Sequence, residues 1–262
     1  MIDELSGKTI VIAGVGPGLG EETARAVLRE GGRVVLGARD ETRLAAIARD
    51  LDPSGERVAF RVCDIDRDED APALLALADS RFGRVDGLVC VAARIDVGGT
   101  IESTALADWR KVFETNVFGT VRLIQAAIPA LKKQGGAIVI VGSQSEKHPD
   151  PAPGFIAYGA SKAAMHAATI YMTDQLGPFG IRVNRVVPST MWTPTLEGFA
   201  TQMAEAQSKT LAEVKAGFEA QMPIGRMPTG LDVAEAIVFF LSDRAAAITG
   251  QALFVNAGEW MA

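Results

Sequence analysis

The chain has 262 residues with a formal charge of −6, and no Lys/Arg run offsets that balance locally, which excludes the basic face a nucleic-acid surface needs. Apolar residues make up 48% and charged residues 22%, a globular balance, and no uninterrupted apolar run approaches the ~20 residues of a bilayer span. Two cysteines in apolar runs (Cys63, Cys90), two histidines (His148, His166) and an acidic Met1–Glu4 start argue against a disulfide framework, a zinc centre and a secretory leader; the expectation is a cytoplasmic, membrane-free protein.

In chain order, short apolar runs alternate with longer amphipathic ones. The expected strands are Thr9–Ala13, Arg33–Ala38, Arg57–Arg61, Gly87–Val91, Ala137–Val141, Arg182–Val187 and Gln251–Val255. Their near-continuous apolarity suits strands buried on both faces. Between them lie helical patterns. Glu21–Glu30 stops at Gly31-Gly32, Thr42–Asp50 and Pro72–Phe82 follow, and Phe82 is succeeded by Gly83. Asp108–Leu131 reads as one long helix with Pro129 as a break or kink near its end. Tyr158–Leu176 and Asp232–Leu241 complete the set.

Strand–helix alternation implies right-handed crossovers, hence an α/β fold with one doubly wound parallel sheet of about seven strands. No linker, repeat or low-complexity stretch divides residues 1–262, so one domain is expected. Pro188–Pro228, with a helix at Leu211–Gln221, is too long for an ordinary connection and reads as a lid over a substrate.

The first strand runs into Ala13-Gly14-Val15-Gly16-Pro17-Gly18-Leu19-Gly20 and then a helix. Gly14, Gly18 and Gly20 fit G-x-x-x-G-x-G, a turn that lets backbone approach a pyrophosphate at a helix N-terminus. The second strand ends at Ala38-Arg39-Asp40. A carboxylate at the strand tip would bind a ribose 2′-hydroxyl; here a guanidinium follows, and its donor fork suits a 2′-phosphate. That favours NADP and leaves NAD open, the alternative being a solvated Arg39 with Asp40 capping the next helix. Arg43 is the one further basic residue at hand.

Tyr158-Gly159-Ala160-Ser161-Lys162 opens a helix, and residues four apart share a face. An isolated tyrosine titrates near ~10; a neighbouring ammonium and an oxidised nicotinamide both favour its phenolate. Upstream, the strand Ala137–Val141 ends in Gly142-Ser143, at the sheet edge where ligands bind in such folds. A hydroxyl there can donate to a substrate oxygen as charge develops. Asn116 lies inside a helical pattern, an odd place for an amide unless it binds water or a backbone carbonyl, or satisfies a kink.

Together these residues resemble the short-chain dehydrogenase/reductase family over essentially the whole chain. Gly14, Gly18 and Gly20 match its cofactor turn, with Leu19 between them. Asp64, followed by Ile65, matches its adenine-contacting aspartate. Asn116, Ser143, Tyr158 and Lys162 match its catalytic tetrad, and Ile248–Gln251 with Val255–Gly258 resembles its last strand. The resemblance implies a Rossmann-fold, NAD(P)-dependent oxidoreductase that moves a hydride between cofactor and an alcohol or ketone. Tyr158 would exchange the proton, Lys162 would bind the nicotinamide ribose, Ser143 would orient the substrate oxygen, and Asn116 would support a relay water. Ser145 stands as the alternative serine, because an insert at His148–Gly154 lengthens the segment before Tyr158. Ala92 would touch the cofactor, and Thr193 falls near its carboxamide. Three positions depart from the pattern: Ala13, the Cys90-Val91-Ala92-Ala93 loop and Pro188-Ser189.

Met191, Trp192, Phe199 and Met203, with Phe155 and His148, are candidates to line a pocket for a cyclic, aromatic or steroid-like alcohol, or else pack the lid onto the body. A 3-oxoacyl-thioester reductase is the alternative enzyme, and a non-catalytic cofactor sensor the alternative class. A homotetramer or homodimer through the two long helices is implied, with a small-molecule substrate as the only other partner.

Overall fold

A computed structural model describes residues 3–149 and 154–261; Met1, Ile2, the middle of the insert at 150–153 and Ala262 lie outside the described residues. The strands are β1 (Thr9–Ala13), β2 (Arg33–Ala38), β3 (Val58–Val62), β4 (Gly87–Cys90), β5 (Gly136–Val141), β6 (Ile181–Pro188) and β7 (Ala252–Val255). All pair in parallel in one sheet of order β3-β2-β1-β4-β5-β6-β7. The order reverses between β1 and β4, which opens the crevice where ligands bind in sheets of this kind.

Alternate residues of the central strands feed two separate cores. Ile10 and Ile12 of β1 face one layer with Val27 of α1 (Leu19–Arg29), Leu44 of α2 (Glu41–Leu51) and Ile237 of α9 (Gly230–Leu241). Val11 and Ala13 face the other, with Leu74 of α3 (Asp70–Phe82), Leu123 of α5 (Thr120–Leu131) and Met165 of α6 (Ile156–Leu176). Both faces being covered is why these strands read as continuous apolar runs. Each fully buried Ile or Leu stabilises the fold by roughly 1.5–3 kcal/mol.

Three elements differ from expectation. The helix expected over 108–131 is split: α4 (Leu106–Phe113) passes through a π-helical segment (Glu114–Gly119) into α5. Pro129 does not end it, since α5 continues to Leu131. The segment 188–228, expected as a lid, holds two helices, α7 (Pro194–Gln207) and α8 (Leu211–Glu219), where one was expected. Thr193 caps α7 by accepting from Leu196 N, with Pro194 in the first turn, and Ser208 ends it in the left-handed region at φ 52°. The β3 strand begins one residue later than read, and the remaining shifts fall at element ends, as does the closure of α3 by Gly83 at φ 74°.

Candidate active site

The glycine-rich turn shows why each matched glycine is there. Gly14 has φ 99°, and a Cβ on it would run into the Ala92 backbone, 2.5 Å from Cα. Gly20 packs so closely on the turn that a Cβ would sit 2.7 Å from Gly14 O. Gly18 has φ 114° and starts α1 with no side-chain cap. Gly16 has open space around it. The result is an uncapped helix N-terminus facing a cleft of about 610 Å³. Donors without a side-chain cap, at the positive end of a helix dipole, suit a pyrophosphate, so the residues present fit a dinucleotide.

The same cleft is lined by Arg39, Arg43, Asp64, Ile65 and Ala92. Asp40 accepts from Arg43 N as the α2 cap, and its carboxylate is 3.5 Å from the Arg43 guanidinium. Arg39 is exposed at the tip of β2 and has no polar partner among the described residues. Asp64 is held in place by its own turn: its N–H donates to Asp70 and its carboxylate accepts from Asp66 N. Thr193 lies across the glycine turn, its methyl 3.5 Å from where a Gly18 Cβ would stand. The altered Cys90–Ala93 loop is fastened by backbone, since Val91 N and Ala92 N both donate to Ala13 O at 2.9 Å.

Beyond the end of β5, Ser143, Tyr158 and Lys162 come together. The Ser143 hydroxyl stands beside the Tyr158 phenol, where it favours the phenolate, and donates to Ser145 Oγ at 3.1 Å. Geometry thus favours Ser143 over Ser145 as the hydroxyl next to the phenol. Lys162 Nζ lies 5.6 Å from the Tyr158 ring centroid and donates to Val141 O at 2.7 Å. Burial pulls the Lys162 ammonium down to about 8, partly opposed by Glu146 and Cys90. Burial also pushes the Tyr158 phenol above its ordinary range, and the Glu146 charge adds to that against Ser143. In the chain by itself burial therefore outweighs the groups that favour the phenolate. Both groups are desolvated, and the ammonium is directed at a backbone carbonyl.

Asn116 occupies the π-helical segment, which turns its amide toward the loop after β4. Its Oδ1 accepts from Arg94 N at 2.6 Å, and its Nδ2 donates to Arg94 O and to Ser161 Oγ. The amide therefore does what the backbone-carbonyl reading expects, and it ties that loop to the helix carrying Tyr158 and Lys162.

Among the lid candidates, Trp192 and Met203 pack against Ala200, Ala204 and Val214 inside the lid itself, and Phe199 is exposed. Met191 alone of the four lines the cleft. His148 stacks on Trp260 with ring centroids 5.8 Å apart, and Phe155 stands at the N-cap position of α6. Sequence reasoning missed Glu146 and Arg185, a buried ion pair beside the helix that carries Tyr158 and Lys162. Nothing in β6 singled out Arg185, since the run Ile181–Pro188 also carries Arg182 and Asn184.

A family model described as enoyl-(acyl carrier protein) reductase matches residues 14–259. The L-fucose dehydrogenase of Bos taurus is 32% identical over 257 residues, spanning 97% of this chain and 89% of its own. The 3beta-hydroxysteroid dehydrogenase 1 of Eggerthella lenta is 32% identical over 260 residues, spanning 98% and 95%. The crystal structure of a short-chain dehydrogenase/reductase, a glucose/ribitol dehydrogenase from Brucella melitensis, superposes with a TM-score of 0.87 at 30% identity over the full length of both chains. With the glycine turn, the switch-point cleft and the Ser143–Tyr158–Lys162 cluster in one parallel sheet, this likeness places the chain in the short-chain dehydrogenase/reductase family of NAD(P)-dependent oxidoreductases.

Proposed function

We propose that Tyr158 is the acid/base of an alcohol dehydrogenase or ketoreductase, with Ser143, Lys162 and Asn116 as its supports. The observation that carries this is the meeting of Ser143, Tyr158 and Lys162 beyond β5, beside a cleft whose glycine turn fits a dinucleotide. A bound nicotinamide supplies the hydride acceptor or donor. Ser143 donates to the substrate oxygen and holds it against the phenol. Tyr158 gives that oxygen a proton in reduction and takes one in oxidation. Lys162 would hold the nicotinamide ribose, and Asn116 fixes the loop–helix geometry by which a relay water would be kept near Lys162. Gly14, Gly18, Leu19 and Gly20 would cradle the pyrophosphate, Asp64 and Ile65 the adenine, and Ala92 and Thr193 the nicotinamide end. Replacing Tyr158 by Phe is expected to abolish turnover and leave cofactor affinity nearly unchanged; full activity in that variant refutes the assignment.

For the cofactor we favour NADP. Arg39, unpaired among the described residues at the β2 tip, offers its guanidinium fork where a 2′-phosphate would lie, with Arg43 close by. Titration of NADPH and NADH, followed by nicotinamide fluorescence, is expected to show tighter NADPH binding that Arg39→Ala erases; equal affinities dismiss Arg39 as the selector.

The substrate class we favour is a cyclic, aromatic or steroid-like secondary alcohol, supported by the likeness to a hydroxysteroid dehydrogenase and by Met191 at the cleft wall. The carrier-bound 3-oxoacyl thioester is the second reading, favoured by the description of the matching family model. A panel holding 1-tetralol, a 3β-hydroxysteroid and acetoacetyl-CoA separates the two. A non-catalytic sensor does not call for the tyrosine and lysine that this chain keeps together. The exposed Phe118, Ile170 and Tyr171 on the π segment and α6 support a homotetramer or homodimer, which light scattering tests. Two unpaired buried cysteines support a reducing, cytoplasmic setting.

A further inference from the structure

Strand β6 sends Ile181 and Val183 into the core beneath α6, and Arg185 continues that face two residues on. Its side chain is only 1% exposed. A lone guanidinium in such a place is strongly destabilising, so the fold has to supply a counter-charge. Glu146 supplies it. This residue ends the short 3₁₀ turn Gln144–Glu146, whose N-cap is Ser143. Its side chain is wholly buried; Oε1 accepts from Arg185 Nη2 and lies 3.3 Å from His166 Nδ1.

His166 follows Lys162 by four residues and Tyr158 by eight, so all three share one face of α6. The carboxylate thus joins the Ser143 turn, the sheet and the catalytic face of the helix. Gly142 belongs to the arrangement as well, for a Cβ there would stand 3.2 Å from Glu146 Oε2. Glu146 Oε2 and Arg185 Nη1 are buried without a partner among the described residues, so neither group is saturated by the pair.

We propose that Glu146 is a positioning residue for the reaction: it pins the Ser143 turn to β6 and α6 and sets a fixed negative charge behind Tyr158 and Lys162. This rests on Tyr158 being the acid/base. The charged and titratable groups facing the pair are Glu146 and Lys147 from the turn, Arg185 from β6, Cys90 from β4 and His166 from α6 itself. Burial pushes the Cys90 thiol up to about 12, so it is neutral near pH 7. Burial also holds the His166 imidazole low, with the Arg185 charge behind it, so that it is neutral there too. Glu146 supports the ammonium of Lys162, whereas Arg185 opposes it. The same carboxylate disfavours the Tyr158 phenolate. Its effect adds to burial in favouring Tyr–OH, the form that can give a proton to a carbonyl oxygen, and partly restores Lys⁺.

The chain has two tyrosines. In a Tyr171→Phe background, tyrosinate absorbance read milliseconds after a pH jump, before alkaline unfolding, reports Tyr158 alone. Glu146→Gln, which removes the carboxylate and leaves the Arg185 charge, is expected to bring that midpoint to lower pH, and Glu146→Asp to leave it near the parent value. A midpoint that stays or rises in Glu146→Gln overturns the proposal. Urea unfolding gives the second readout. Glu146→Gln alone leaves Arg185 charged and unpaired, so it is expected to unfold at lower urea than the Glu146→Gln/Arg185→Gln double variant; the opposite order, or a double variant that does not fold, also overturns it. Neither measurement needs cofactor or substrate. An active Tyr158→Phe enzyme removes the acid/base assignment, whereas an inactive one with an unmoved midpoint removes only the part given to Glu146.

Discussion

Replacing Lys162 by methionine gives a stability change whose sign depends on pH, and the structure sets the window. The ammonium is buried and donates to Val141 O, and its pKa falls from 10.5 to about 8. That fall corresponds to roughly 3 kcal/mol between the charged and neutral forms. Below about pH 8 the lysine is protonated in both folded and unfolded chains, and the folded chain carries the full cost of burying charge. Between about 8 and 10.5 the unfolded chain holds a proton that the folded one has released, so stability rises with pH. Above 10.5 both are neutral and the cost is gone. Methionine has nothing to titrate, and the Val141 carbonyl it leaves bare costs about 1–3 kcal/mol at every pH. Relative to Lys162→Met, the parent is therefore expected to gain roughly 3 kcal/mol between pH 7 and 10.5. Urea unfolding of both proteins by circular dichroism, at half-unit steps, measures that difference; alkaline titrations remote from Lys162 are common to the two chains, and a Cys90→Ala background removes the thiol coupled to it. Parallel curves refute a desolvated ammonium at 162, and a parent that weakens relative to the variant as pH rises reverses the argument.

Two substitutions test the scaffolding of the site. Gly14→Ala forces a Cβ into the Ala92 backbone at φ 99° and is expected to cost about 2–5 kcal/mol and to abolish NADPH binding, whereas Gly16→Ala, in open space, should stay within about 0.5 kcal/mol. Thermal melts and a fluorescence titration read both, and equal losses at the two positions contradict the role given to close approach. Asn116→Ala strips the Arg94 N–H and C=O of their partners and is expected to lower stability by roughly 2–3 kcal/mol, with kcat falling more than cofactor affinity. Unchanged stability would mean that the loop–helix clamp contributes nothing.

Much of this molecule is legible because its strands are buried on both faces, so that apolarity runs unbroken through Thr9–Ala13 and Arg33–Ala38, both of which the sequence places to the residue. The lid shows how the same reasoning misfires. Thr193-Pro194 is an N-cap followed by a proline in the first turn, a start signal for α7, yet among neighbouring Pro, Thr and Met residues it reads as irregular chain. The π segment has no local signature at all. Its reason is Asn116, whose partner Arg94 lies 22 residues away across a strand–helix connection.

The candidate catalytic residues were legible by type and spacing, and their electrostatics were not. Tyr-x-x-x-Lys puts a phenol and an ammonium on one helical face, from which a depressed phenol follows if solvent is ignored. Burial reverses that, because desolvation acts on both groups before either can help the other. Added to burial, the Glu146 carboxylate favours the ammonium of Lys162 and disfavours the phenolate of Tyr158. It is joined to Arg185 across 39 residues by a strand register no local pattern encodes. Chemistry carried by residues on one element can be read from a line of letters. Tuning supplied by a second element requires the sheet to be built first, and so the Tyr-x-x-x-Lys pair was legible while the charge that bears on it was not.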